Sequence, residues 1–353
     1  MTSRQRRRAG TGPGLGLGAG TTGIIIVALM AALAVVCALS VLFGSRAVTF
    51  DQVVYAFTSS ADGTGGTDGI VSEVVRLRVP RTVLGILVGA ALAVSGALMQ
   101  GVMRNPLADP SILGLNSGAA FAVVCAIATI GLSTPAQYMI VALIGGAAAA
   151  ILVWVLGSIG RTGATPLKFT LAGAVLGSAL ASLTSAIMLP RADVISTYRF
   201  WQVGGISGAR FNLMAPVVPM LLIGFILAVF SARQLNMLAL GDQMAAGLGV
   251  SVTRARAIAW AGAVLLSAGS TALAGPIGFV GLVVPHAARI IVGSDYRRII
   301  GLCMLIGPLL LVASDVIGRV ISRPGDVEVG IVTALIGAPV FIALARTGKM
   351  TEV

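Results

Sequence analysis

Ten apolar runs, separated by short stretches rich in charge, Pro or Gly, mark out the chain: 24–43, 82–103, 113–131, 137–158, 168–189, 213–231, 255–273, 277–293, 300–320 and 329–346. Each is close to the length at which an α-helix crosses a hydrocarbon layer, roughly 20 residues. The pattern predicts an all-α polytopic membrane protein of about ten transmembrane helices. The central run from Thr82 to Met103 carries Gly85, Gly89, Ala93, Ser95 and Gly96, small residues at helical spacing that let neighbouring backbones approach closely in lipid. It ends at Arg104-Asn105-Pro106, with Asp109-Pro110 just beyond, and two prolines so close together predict an irregular connection. GAALAVSGAL at 89–98 and GAVLLSAGSTAL at 262–273 run in opposite directions in this topology, as in an inverted repeat.

Composition agrees. Of 353 residues 57% are hydrophobic and 10% charged, against about 25% charged in soluble proteins. The net charge of +12 does not describe a nucleic-acid surface, because the arginines punctuate the apolar runs instead of gathering on one face. Fifteen of the 24 Lys and Arg residues fall on the side that holds both termini, which predicts cytoplasmic termini. Residues 1–23, with Arg4, Arg6, Arg7, Arg8 and a Gly-rich stretch, read as a cytoplasmic tail; 24–346 form the membrane domain and 347–353 a second cytoplasmic tail. The membrane lipid is the expected surround. Cys37, Cys125 and Cys303 lie far apart in apolar runs, so no disulfide framework or metal site follows. His286, the single histidine, follows Pro285 and reads as a hydrogen-bonding group near a bent helix start.

Two features depart from topology signals. Arg76, Arg78 and Arg81 crowd the outer mouth of the second run, and Arg319 with Arg323 crowd the outer end of the ninth. Such clusters predict either local pairing with Glu73, Asp326 or Glu328, or a docking surface for an acidic partner. Asp315, the one acid well inside a run, stands four residues before Arg319 and predicts an intramembrane ion pair, Asp315–Arg319. The second feature is 232–256, where Met237, Leu238, Leu240, Met244, Ala245 and Leu248 recur at helical spacing between glycines. This predicts an amphipathic segment on the membrane surface, or one offering its apolar face to a cytoplasmic protein. No GxxxxGK[ST] loop, HExxH motif or paired buried carboxylate is present, so the chain reads as no enzyme, with no catalytic, metal or cofactor-binding residue of its own.

The string VPRTVLGILVGAALAVSGALMQGVMRNPLADPSILGLNSGA resembles the signature of the iron-chelate and cobalamin permease family of bacterial ABC importers, the FecCD type. PLKFTLAGAVLGSAL, LNMLALGDQMAAGLGV, AGPIGFVGLVVPHAAR and DVIGR…VGIVTALIGAPVFI match in the same order. The resemblance implies a multi-pass subunit of the bacterial cell membrane, paired with a second permease subunit (itself or a related chain). It also implies separate ABC ATPase subunits that bind ATP and Mg, and an extracytoplasmic substrate-binding protein. The docking arginines it implies are Arg78, Arg81 and Arg319; the ATPase-coupling residues are Leu240, Gly241, Asp242, Ala245, Leu248 and Gly249. STYRFWQVGGISGAR resembles the ferric-siderophore branch, while Gly204-Gly205 departs from its usual Gly-Ser and leaves heme and cobalamin open. The readings from other classes are an ion-coupled secondary transporter, which would need intramembrane charges beyond Asp315, and a structural membrane anchor.

Overall fold

The computed structural model describes residues 19–44, 51, 67–159, 165–323 and 325–346; the two tails expected at 1–23 and 347–353 fall outside these, apart from 19–23. Ten substantial helices appear among the described residues, with three shorter ones. They are α1 (Ala19–Leu42), α2 (Thr67–Met103), α3 (Leu115–Ile130), α4 (Pro135–Ser158) and α5 (Pro166–Met188). Next come α6 (Ala192–Gln202), α7 (Phe211–Met214), α8 (Val218–Leu238), α9 (Asp242–Gly247) and α10 (Val252–Ala274). The chain continues with α11 (Val280–Val292), α12 (Tyr296–Ile321) and α13 (Val329–Arg346). No strand occurs among the described residues. Seven helices are long and apolar enough to cross a membrane; α3, α11 and α13 supply three shorter apolar spans.

Local chemistry fixes several ends. Thr134 and Gln137 form a reciprocal capping box ahead of Pro135, satisfying amides that the first helical turn cannot. Asp295 accepts from the Arg297 amide at the start of α12. Between α2 and α3 the expected irregular connection holds one 3₁₀ turn, Pro110–Leu113, closed by Gly114 at φ 76°.

α2 is the centre of the bundle. In its spanning window 83% of residues are buried, against 6% for α1 and 11% for α5, so α2 is encased in protein while those two lie at the periphery. It packs on α8, α10, α11 and α12. Its small-residue stripe meets two neighbours in succession: a Cβ at Gly89 would lie 2.6 Å from the Gly307 carbonyl oxygen of α12, and one at Gly96 only 2.0 Å from that of Gly281 in α11. Ser95 Oγ donates to the Ala263 carbonyl of α10 at 2.6 Å, so the two segments read as an internal echo lie against each other. Trp154, Phe169 and Trp260 close a second contact among α4, α5 and α10, with ring centroids 4.7–5.3 Å apart.

Three boundaries differ from the sequence expectation. α2 begins at Thr67, not 82, and carries Pro80 internally, so Arg76, Arg78 and Arg81 are helical instead of lying in a loop. Proline removes one backbone hydrogen bond, and the ends of α1 and α12 packed beside this stretch hold the helix together through it. α8 starts at Val218, after the Phe211–Met214 turn, because Pro219 suits a first turn; it then continues to Leu238 through polar residues. There Asn236 is satisfied by the Asp295 carboxylate (2.7 Å) and the Tyr296 amide (2.8 Å). The expected amphipathic segment of 232–256 is thereby shortened to the six residues of α9, since Met237 and Leu238 belong to α8.

Candidate functional site

Charged groups gather at the two ends of the apolar part of α2, Val75–Met103. At the first end, Asp315 of α12 is 1% exposed and lies between two arginines. Arg81 donates to Asp315 Oδ1 from Nε (3.0 Å) and Nη2 (2.8 Å), and from Nη1 to Asp326 Oδ2 (2.8 Å). Arg319 Nη2 lies 2.8 Å from Asp315 Oδ2, on the same face of α12. The remaining donors grip the end of α1. Arg319 reaches the Ser40 carbonyl (3.0 Å) and hydroxyl (2.8 Å). Arg78 reaches the carbonyls of Val41 (2.8 Å) and Leu42 (3.0 Å), and Arg323 that of Gly44 (3.0 Å). The last carbonyls of a helix have no intrahelical donors and carry the negative end of its dipole, so guanidinium groups satisfy both needs at once.

This arrangement revises the sequence picture of a crowded outer mouth. Arg78, Arg81 and Arg319 are together, but all are buried, at 6%, 8% and 2% exposure. A buried guanidinium needs a carboxylate and further acceptors, and Asp315, Asp326 and the α1 carbonyls provide them. Pairing with Asp326 was one of the two sequence expectations and Arg81 makes it, whereas Ser40 was not singled out, because a contact across 279 positions leaves no local signal.

Beside this cluster, Glu328 Oε1 accepts from Ser207 Oγ at 3.0 Å. They border a cavity of about 310 Å³ shared with Tyr138, Trp201 and the end of α10.

At the other end of α2, Gly241 (φ 107°) and Gly249 (φ 83°) bracket α9. Leu240 just before α9, Met244 within it and Leu248 just after it are 58–62% exposed, an apolar patch at the surface, while Ala245 is fully buried. Asp242, half-exposed, pairs with Arg104, the residue after α2, and with Arg256 in the second turn of α10 (2.9 Å). Of the six residues predicted here, Leu240 and Leu248 belong to the exposed patch, Gly241 and Gly249 shape the backbone, and Ala245 and Asp242 fasten the segment.

The connection between these helices holds Asp109, 8% exposed, whose Oδ1 accepts from the Ser111 amide (2.8 Å) and hydroxyl (2.5 Å). Burial raises its pKa, only partly offset by the two bonds from Ser111. A carboxyl with a raised native pKa contributes stability below its unfolded value, about 4, and that contribution is lost as pH rises through the native value. Asp109→Asn keeps the capping acceptor and removes the buried charge. Its thermal midpoint in detergent should therefore exceed wild type at pH 7, with the two curves converging toward pH 4; identical midpoints at both pH values would refute the assignment.

Among the described residues no group of three or more His, Cys, Asp or Glu could hold a metal ion. A family model described as the FecCD transport family matches residues 32–347. The chain belongs to this family. This FecCD chain is 39% identical over 326 residues to the ferric enterobactin transport system permease protein FepD of Escherichia coli, covering 92% of the chain and 96% of that protein. It is 36% identical over 316 residues to the probable siderophore transport system permease protein YfiZ of Bacillus subtilis, covering 90% and 93%. Among solved structures it is similar to an inward-facing ABC transporter described as of metal-chelate type, with TM-score 0.78, 28% identity and coverage of 92% and 99%. The FecCD chain is thus an all-helical, multi-pass membrane protein.

Proposed function

We propose that the chain is the permease subunit of an ATP-driven importer of the bacterial cell membrane, with a ferric siderophore as cargo. The observation that carries this reading is the segment around α9, in which Leu240 just before the helix, Met244 within it and Leu248 just after it are exposed, with Asp242 fastened to Arg104 and Arg256. An apolar patch of this kind suits a groove on another protein, here the ATPase that supplies the energy, on the cytoplasmic side with both termini. Relatives named for siderophore and enterobactin transport support the cargo.

A binding protein docks at the opposite end of α2. The cluster there holds four guanidiniums (Arg78, Arg81, Arg319, Arg323) against three carboxylates (Asp315, Asp326 and the neighbouring Glu328), which leaves a positive field for acidic side chains. A second permease subunit covers α13, where Gly330, Ala334 and Ala338 border an open apolar groove with Leu335.

The test is uptake in a deletion strain supplied with labelled ferric siderophore, heme or cobalamin. Ferric siderophore uptake should be lost and return with the wild-type gene. Gly241→Val should fail to restore it, at least tenfold below wild type: the backbone at φ 107° excludes a β-branched residue, while nothing within 4 Å makes the substitution a packing fault. Siderophore uptake unaffected by the deletion, with heme or cobalamin uptake lost, would reassign the cargo. Accumulation by the purified chain in liposomes under a proton gradient alone would overturn the ATP-driven reading.

A further inference from the structure

The apolar patch around α9 explains how another protein could hold this segment, but not how a push on it would reach the bundle. Asp242 is the link. Its half-exposed carboxylate is shared by Arg104 and Arg256, which come from different helices; the Arg256 side chain is 4% exposed and approaches both oxygens, at 2.9 and 3.1 Å. An apolar contact can slide at little cost, whereas a carboxylate held between two guanidiniums is directional. Arg104 itself sits at φ 45°, a left-handed conformation that a residue with a side chain adopts only at a cost. A tight turn and an ion pair therefore fix the point where α9 meets α2.

We propose that Asp242 is a positioning residue that transmits displacement of α9 into α2 through Arg104, and into α10 through Arg256, rather than a residue that touches the ATPase. This rests on the reading of α9 as the ATPase contact. α2 is suited to carry the displacement. It is the most enclosed spanning helix, its backbone is in direct contact with α11 at Gly96 and α12 at Gly89, and its far end is tied to Asp315 by Arg81. Arg81 and Arg104 are separated by about 34 Å at roughly 1.5 Å per residue. A movement entering at Arg104 thus arrives at the arginine cluster without a flexible element between.

The experiment uses the full complex with its ATPase in nanodiscs and needs no knowledge of the cargo. Ser207→Cys, at an exposed position beside Glu328, is introduced after Cys37, Cys125 and Cys303 are replaced by alanine. Its reaction rate with a maleimide is measured with and without ATP. ATP should change the rate at least threefold. Arg104→Glu, which repels Asp242, should abolish that change while the bound ATPase continues to hydrolyse ATP, and the charge-reversed trio R104E/R256E/D242R, which restores both pairs, should recover it. Arg104→Gln, a milder change, should give an intermediate response. A merely structural role would instead lower complex yield and hydrolysis together, and would not respond to charge reversal. An ATP response that survives both Arg104→Glu and Arg104→Gln, or that is absent from the unaltered chain, overturns the proposal. Failure of any ATPase to copurify with the unaltered chain would instead overturn the function proposed above.

Discussion

Asp315→Ala should destabilise the chain by about 3–5 kcal/mol, the range for removing one partner of a buried ion pair. The carboxylate is 1% exposed and is shared by Arg81 and Arg319. Without it two buried guanidiniums face each other, Arg81 retains only Asp326, and Arg319 retains only Ser40 and its own helix. The loss should appear in SDS or thermal unfolding of the purified protein, together with a loosened α1, whose end Arg319 holds through Ser40. The double variant D315L/R319L should recover much of the stability, because it removes the orphaned charge along with its partner and leaves Arg81 paired with Asp326. A single variant within about 1 kcal/mol of wild type would show that water reaches the cluster and screens it.

The second large effect belongs to Gly96→Ala. A single added methyl would stand 2.0 Å from the Gly281 carbonyl oxygen and 2.5 Å from its Cα, all backbone atoms with no side chain able to move aside. α2 and α11 must separate, and the bond from Gln100 Nε2 to the Gly281 carbonyl (3.1 Å) is lost with them. Overpacking of this kind costs typically about 1–3 kcal/mol, and here it adds to an unmade buried hydrogen bond worth a further ~1 kcal/mol. Gly301→Ala on α12 is the matched control, since nothing lies within 4 Å of that position. It should be neutral or stabilising by up to about 1 kcal/mol through helix propensity. Equal unfolding midpoints for the two variants would contradict the backbone contact. Gly307→Ala should resemble Gly96→Ala, because its Cβ would meet the Gly89 carbonyl at 2.2 Å.

Much of the functional layout is visible without coordinates, for reasons that are local. A stripe of small residues such as Gly85, Gly89 and Gly96 identifies a close-packed helix by spacing alone. Asp315 and Arg319 fall four apart, and one turn of helix brings them together wherever that helix lies. Leu240, Met244 and Leu248 are also four apart, but Gly241 breaks the helix after Leu240, so their shared exposure comes from the fold and not from the period. What could not be read is which charges meet over long separations. Asp242 carries no sign that Arg104, 138 positions earlier, is its partner, and Arg78 carries none that the end of α1 is its acceptor.

The sequence by itself determined ten apolar helices in a membrane, the small-residue face of α2, the apolar residues in and around α9 and the Asp315–Arg319 spacing. Period and hydropathy act over a few residues and are written into each stretch. Only the tertiary structure decided that α2 runs on through Pro80, that Arg78, Arg81 and Arg319 are buried, with Arg78 and Arg319 holding α1, and that Asp242 pairs with Arg104 and Arg256. Those outcomes depend on which buried charge finds which acceptor. In a low-dielectric interior that choice is made by the assembled bundle and not by any segment alone.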